Sequence, residues 1–216
     1  LHDGACGRRF RFGKELDAGP RIRLATSTAP TRAVPGGRMI EAVLCLLVFH
    51  GIIGGLDVMV NHEAAEHLPQ QAWARHEQVL HSLRELAFAM LFAGLGWLQW
   101  NGAFAWVIAA IVVAEFTISF VDTLLEDKIR RLPQLERALH TILFINFGAY
   151  TALLAYVLVD WHAAESAVRF AYHGVLSWAL GALALGSFAW CVRDAVSARR
   201  LMRSAERGAV AAAGTP

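Results

Sequence analysis

Five apolar stretches, each long enough to cross a bilayer, leave this chain few ways to fold. They cover residues 39–60, 81–100, 104–125, 141–161 and 168–192. A helix needs about 20 mostly apolar residues to traverse the hydrocarbon core of a membrane. Helices this apolar all round need lipid, or a very large protein core, to hide in. Composition agrees: 18% of the 216 residues are charged, against about 25% in an average soluble domain. The expected fold is therefore all-α, a polytopic integral membrane protein of five transmembrane helices. Its expected form is a polar-cored four-helix bundle (helices 1–4) with one peripheral helix. Trp97, Trp100, Trp161 and Trp190 sit near span ends, where indole rings favour the membrane interface. The short Asn101-Gly102 link predicts an antiparallel hairpin of spans two and three. Pro69 and Pro133 fall in the two longer loops, where a missing N–H does least harm.

The two ends read differently. Residues 1–38 hold 11 of the 38 charged residues, lack apolar periodicity, and have no apolar core of the kind a signal peptide carries. They are expected to be disordered, or to precede the true start at Met39. Residues 39–192 form the five-helix domain. Residues 193–216 begin as a basic helical extension (Arg193, Arg199, Arg200, Arg203, Arg207) and are expected to end in a loose tail. The net charge of +2 is too small to imply a nucleic-acid partner. Cys6, Cys45 and Cys191 are too scattered for a disulfide framework or a zinc ribbon. An excess of arginine over lysine points to a GC-rich, bacterial gene and hence to a bacterial inner membrane. Basic residues set orientation: Arg75, Lys128, Arg130, Arg131, Arg137 and the tail arginines fall on one face, Arg169 on the other. Counted from Met39, the first span starts outside and the C-terminus lies in the cytoplasm. Adding residues 1–38 would nearly cancel that bias.

Within the spans, ionisable groups recur, although each is costly in lipid and tends to face the bundle interior with a partner. They align on helix faces at about 100° per residue. The first span carries His50, Gly54, Asp57 and Asn61 on one side; the second begins with Glu77, His81, Arg84 and Glu85; the third carries Glu115, Ser119, Asp122 and Glu126; the fourth starts with Glu136 and His140. Most of these lie toward the membrane face that holds the two longer loops. Of the 20 charged residues in 39–192, 13 are acidic, so this is an acid-rich stripe accompanied by histidines.

Imidazole with carboxylate is the donor set of Zn, Fe and Mn sites, and helical bundles build such sites from inward Glu and His. The spacing Glu-x-x-x-His occurs at Glu63–His67, Glu77–His81 and Glu136–His140; four residues place both side chains on one face. This is neither the Glu-x-x-His of ferritin-like di-iron proteins nor the His-Glu-x-x-His of zinc proteases. Histidine boxes, Gly-x-Ser-x-Gly and Gly-x-Gly-x-x-Gly are absent. Blander readings stand beside these. Glu63–His67 reads as a solvated intrahelical pair, Lys128–Arg131 as a topology signal, and His162 and His173 as interfacial polarity. Asn146, Tyr150 and Tyr156 read as helix–helix hydrogen-bonding residues.

The functional expectation is a membrane-embedded metal enzyme: a dinuclear Fe or Mn oxidoreductase acting on a lipid or lipid-soluble molecule near the cytoplasmic face. A zinc hydrolase is a variant, and haem suits the carboxylate-rich stripe less well. The expected centre is His81, Glu85, Glu115, Asp122, Glu126 and His140. Glu77, Glu136, His50 and Asp57 are expected as further ligands or supports. Arg84 and Glu115 are the candidate catalytic groups. Two alternatives use the same residues: a proton- or cation-coupled transporter or channel, and a non-catalytic membrane assembly subunit. Nothing in the sequence specifies an oligomeric state.

Overall fold

The computed structural model describes residues 35–65, 71, 75–129, 131 and 133–213. Five long helices dominate it. Helix α1 (Pro35–Asp57) continues into a π-helical segment (Val58–Ala65), and α2 (Arg75–Trp97) runs back. A short strand β1 (Leu98–Asn101) and a 3-10 turn (Gly102–Phe104) lead into α3 (Ala105–Ile129). Then come α4 (Gln134–His162), strand β2 (Ala167–Phe170) and α5 (Val175–Ala213). Each contains a segment long and apolar enough to cross a membrane.

The helices close a ring in the order α1–α4–α3–α2–α5, with α5 touching α1 again. One correction follows. The fifth helix is not peripheral: its interface with α2 is the most extensive in the bundle. Small residues permit this approach. A Cβ on Gly96 would stand 3.0 Å from Leu180, and one on Gly181 would stand 3.2 Å from the Trp97 ring. Ser177 Oγ donates to the Gly96 carbonyl at 2.6 Å, and Ser82 Oγ donates to the Cys191 carbonyl at 3.1 Å. Glycine and serine at helix contacts are the usual means of bringing apolar helices together. Helix α5 runs on through the basic extension to Ala213. Its closing Ala-Val-Ala-Ala-Ala run has high helix propensity.

At one end, β1 and β2 pair antiparallel, Leu98 opposite Phe170 and Asn101 opposite Ala167. The expected two-residue link between spans two and three is therefore a strand and a turn. Gly102 adopts φ 61° there, and Trp97 packs on Phe170, Tyr172 and Trp178. The half of the bundle nearest this end is an apolar layer, centred on Leu44, Leu47, Leu91, Leu95, Leu154 and Leu180. The other half is polar inside. Outward positions reverse the order expected in water: Ile145 is 69% exposed, Val159 69% and Leu185 74%, whereas Glu77, Asp122, Glu126 and Glu136 are fully buried. An apolar exterior around a polar interior fits lipid as the surrounding solvent.

Candidate metal centre

The polar half is organised by two helix starts. Helices α2 and α4 each carry a first-turn glutamate and a histidine one turn later, Glu77–His81 and Glu136–His140. The positive end of the helix dipole favours a carboxylate at that position. Both helices rise from the same end of the bundle, so the two pairs stand side by side. Helix α3 descends the other way and brings Glu126 between them.

Donor atoms of Glu77, His81 and Glu126 lie within 4.8 Å of one another, as do those of Glu126, Glu136 and His140. These buried groups could hold a metal ion. Glu126 belongs to both sets and turns a different oxygen to each. Its Oε1 is 3.7 Å from His81 Nε2, and its Oε2 is 3.6 Å from His140 Nδ1. Both separations exceed a hydrogen bond. They are close to the spacing of two donors on one ion, since ligands about 2.1 Å from a metal sit about 3.0–3.4 Å apart.

An aspartate stands beside each histidine, on the nitrogen that faces Glu126 in His81 and on the opposite one in His140. Asp122 Oδ2 is 3.2 Å from His81 Nε2 and also accepts from Arg84 at 2.9 Å. Asp57 Oδ2 accepts from His140 Nε2 at 3.1 Å, while Asn61 Nδ2 donates to Asp57 Oδ1 at 2.7 Å. His140 thus bonds a carboxylate through one ring nitrogen and turns the other toward Glu126. Histidine ligands are commonly oriented in this way. Asp57 closes α1 where the helix widens into the π-helical segment that carries Asn61. Such segments are rare and recur at functional sites.

Of the expected residues, Glu77, His81, Glu126, Glu136 and His140 make up the two groups that could hold an ion, whereas Glu85, Glu115, His50, Asp57 and Asp122 fall outside both. One turn beyond His81, Glu85 has risen about 6 Å along α2, where its neighbour is Ser187 of α5. Glu115 sits two turns above Asp122 and accepts from Ser119 at 2.7 Å. A cavity of about 40 Å³, lined by Glu115, Ser119, Arg84, His50 and His140, separates it from the cluster. His50 accepts from Asn146 at 3.1 Å and lies tilted against the Phe88 ring and edge-on to that of Tyr150. Asn146 also donates to the Leu46 carbonyl at 3.0 Å, which is the helix–helix role expected of it. The residues 66–70 and Arg130 lie outside the described residues, so the Glu63–His67 pair has no structural account. Sequence reading missed Gln78, Asp194 and Ser197, all buried. Asp194 was masked by its arginine neighbours, although Asp194, Ser197 and Ala198 repeat at helical spacing on one face of α5.

No known protein family, curated protein or solved structure matches this chain.

Proposed function

We propose that the chain is a membrane-embedded oxidoreductase built around a dinuclear Fe or Mn centre, acting on a lipid-soluble substrate near the cytoplasmic face of a bacterial inner membrane. The observation that carries this reading is a pair of buried His/carboxylate groups, Glu77–His81–Glu126 and Glu126–Glu136–His140, which share Glu126 and whose donor atoms lie within 4.8 Å of one another in each group. Imidazole with carboxylate is the donor set of Fe, Mn and Zn sites, and Arg84 pairs with the neighbouring Asp122 at 2.9 Å.

In this reading Glu77, His81 and Glu126 would hold one ion and Glu126, Glu136 and His140 the other, with Asp122 beside His81. Asp57 holds His140 in its tautomer, and Arg84 holds Asp122. Fe or Mn in such a setting supplies redox chemistry next to an apolar substrate. Zinc in the same pocket would instead supply hydrolysis. The transport alternative is less well supported, because the Leu44–Leu91–Leu154 layer closes the bundle above the polar half.

The test is elemental analysis and visible spectroscopy of the detergent-purified full chain. About two Fe or Mn per chain are expected, falling to one or fewer in Glu126→Ala. Substoichiometric metal, unchanged by His81→Ala with His140→Ala, would overturn the proposal.

A further inference from the structure

A second cavity, of about 220 Å³, lies between α1, α2 and α5 and reaches Asp57, Arg84 and Glu85 at its polar end. It exists because side chains are missing. Gly54 and Gly55 on α1 and Gly186 on α5 line it, and a Cβ added to any of them would meet nothing within 4 Å. The flanking positions Ile52, Leu56, Leu185 and Phe188 are all exposed, so the opening faces the same apolar exterior as the rest of the bundle.

Its volume excludes a whole lipid. Sites for drug-sized ligands run to about 300–1,000 Å³, and this one has room for a ring and its first substituents. The walls suit a ring. Phe88 and Phe92 stack at 5.6 Å, and Trp190 lines the same cavity. The polar end selects the head group. Asn146 Nδ2 donates to His50 Nδ1, so the neutral imidazole carries its proton on Nε2 and offers a donor. Arg84 offers another. The Trp190 indole N–H has no partner among the described residues, although a buried indole usually finds one. Glu85 and Asp57 stand beside these donors as acceptors. A fatty-acid carboxylate or a phosphate would meet those two carboxylates and be repelled. An uncharged head bearing ring carbonyls or hydroxyls finds complements for both.

We infer that this cavity binds the ring of a quinone or hydroquinone, its tail left in the surrounding lipid. The inference rests on the membrane reading above and gives its substrate class, but binding can be measured apart from metal. The probe is a decyl-substituted benzoquinone, titrated into the detergent-solubilised full chain while tryptophan fluorescence is followed. Saturable quenching is expected, and Trp190→Phe should remove most of it. Gly54→Leu fills the cavity while improving helix propensity, and should weaken binding at least tenfold with metal content unchanged. Gly186→Leu fills it from the opposite wall and serves if the first variant does not fold. Non-saturating quenching, equal binding by both filled variants, or displacement by equimolar oleate would overturn the inference. Stoichiometric metal without quinone binding would remove the substrate class and leave the metal centre standing; quinone binding without metal would do the reverse.

Discussion

At the residue scale, the polar half depends on which oxygen faces which nitrogen. Glu126 can serve two histidines because its carboxylate has two oxygens and α3 descends midway between α2 and α4. Asp57 acts differently: it reaches His140 through the nitrogen that points away from Glu126. It thereby sets which ring nitrogen is free to bind. Substituting Asp57→Asn keeps the shape and the bond from Asn61's side of the pair, but removes the charge that raises imidazole basicity. The expected result is a folded protein whose metal affinity falls about 10–100-fold, measured by competition with a chelator of known affinity. An unchanged affinity would place Asp57 outside the centre. Much of this was legible in the sequence as acids and histidines at helical spacing. The choice among them was not. His81 and Glu85 are related by the same four-residue step as Glu77 and His81, and only the neighbouring helices decide which end of the stripe faces the cluster.

At the element scale, the hairpin end is where backbone geometry is least forgiving. Gly102 and Gly174 both adopt positive φ, 61° and 62°, a region that costs an ordinary L-residue about 1–2 kcal/mol. They differ in surroundings. A Cβ on Gly174 would enter open space, whereas one on Gly102 would overlap Ser166, including its backbone. Ser166 Oγ also accepts from the Ala103 N–H at 3.0 Å, and the Gly102 carbonyl pairs with His162 Nδ1 at 3.1 Å. Gly174→Ala is thus expected to cost about 1–2 kcal/mol and Gly102→Ala clearly more, read as the order of thermal unfolding midpoints in one detergent. Equal midpoints would mean that the β1–β2 pair yields without loss. Asn101-Gly102 announced a turn here, but the strand pairing did not show in the sequence. β1 and β2 are four residues each and widely separated in the chain, too short for a period of two to stand out.

At the scale of the whole molecule, polarity sets the arrangement. The apolar layer and the polar layer occupy opposite halves of one bundle, and the outer surface is apolar along both. Helix α5 has 39 residues, about 58 Å at 1.5 Å per residue, against a hydrocarbon core of about 30 Å. Its last turns extend past the polar half and carry Arg199, Arg200, Arg203 and Arg207. Basic segments are retained on the cytoplasmic side, so a reporter enzyme that works only in the cytoplasm, fused after residue 216, is expected to be active. A reporter that works only outside should be silent there. The opposite pattern would invert the orientation and place the candidate centre at the outer face.

The sequence alone determined the class of fold, all-helical with five segments long and apolar enough to cross a membrane, and the concentration of acids and histidines toward one end; the limits were coarser, since residues 168–170 belong to β2 and the fifth helix is Val175–Ala213. Those features are one-dimensional, since length, hydropathy and helical period depend only on neighbours along the chain. The tertiary structure decided which groups meet. It set α5 against α2 through glycine and serine contacts, and left Glu85, Glu115, His50, Asp57 and Asp122 outside the groups that could hold an ion. It also made Glu126 the shared member and opened a cavity where four glycines line facing helices. Each of those outcomes depends on the rotation of one helix against another, which is fixed by packing between residues distant in the chain.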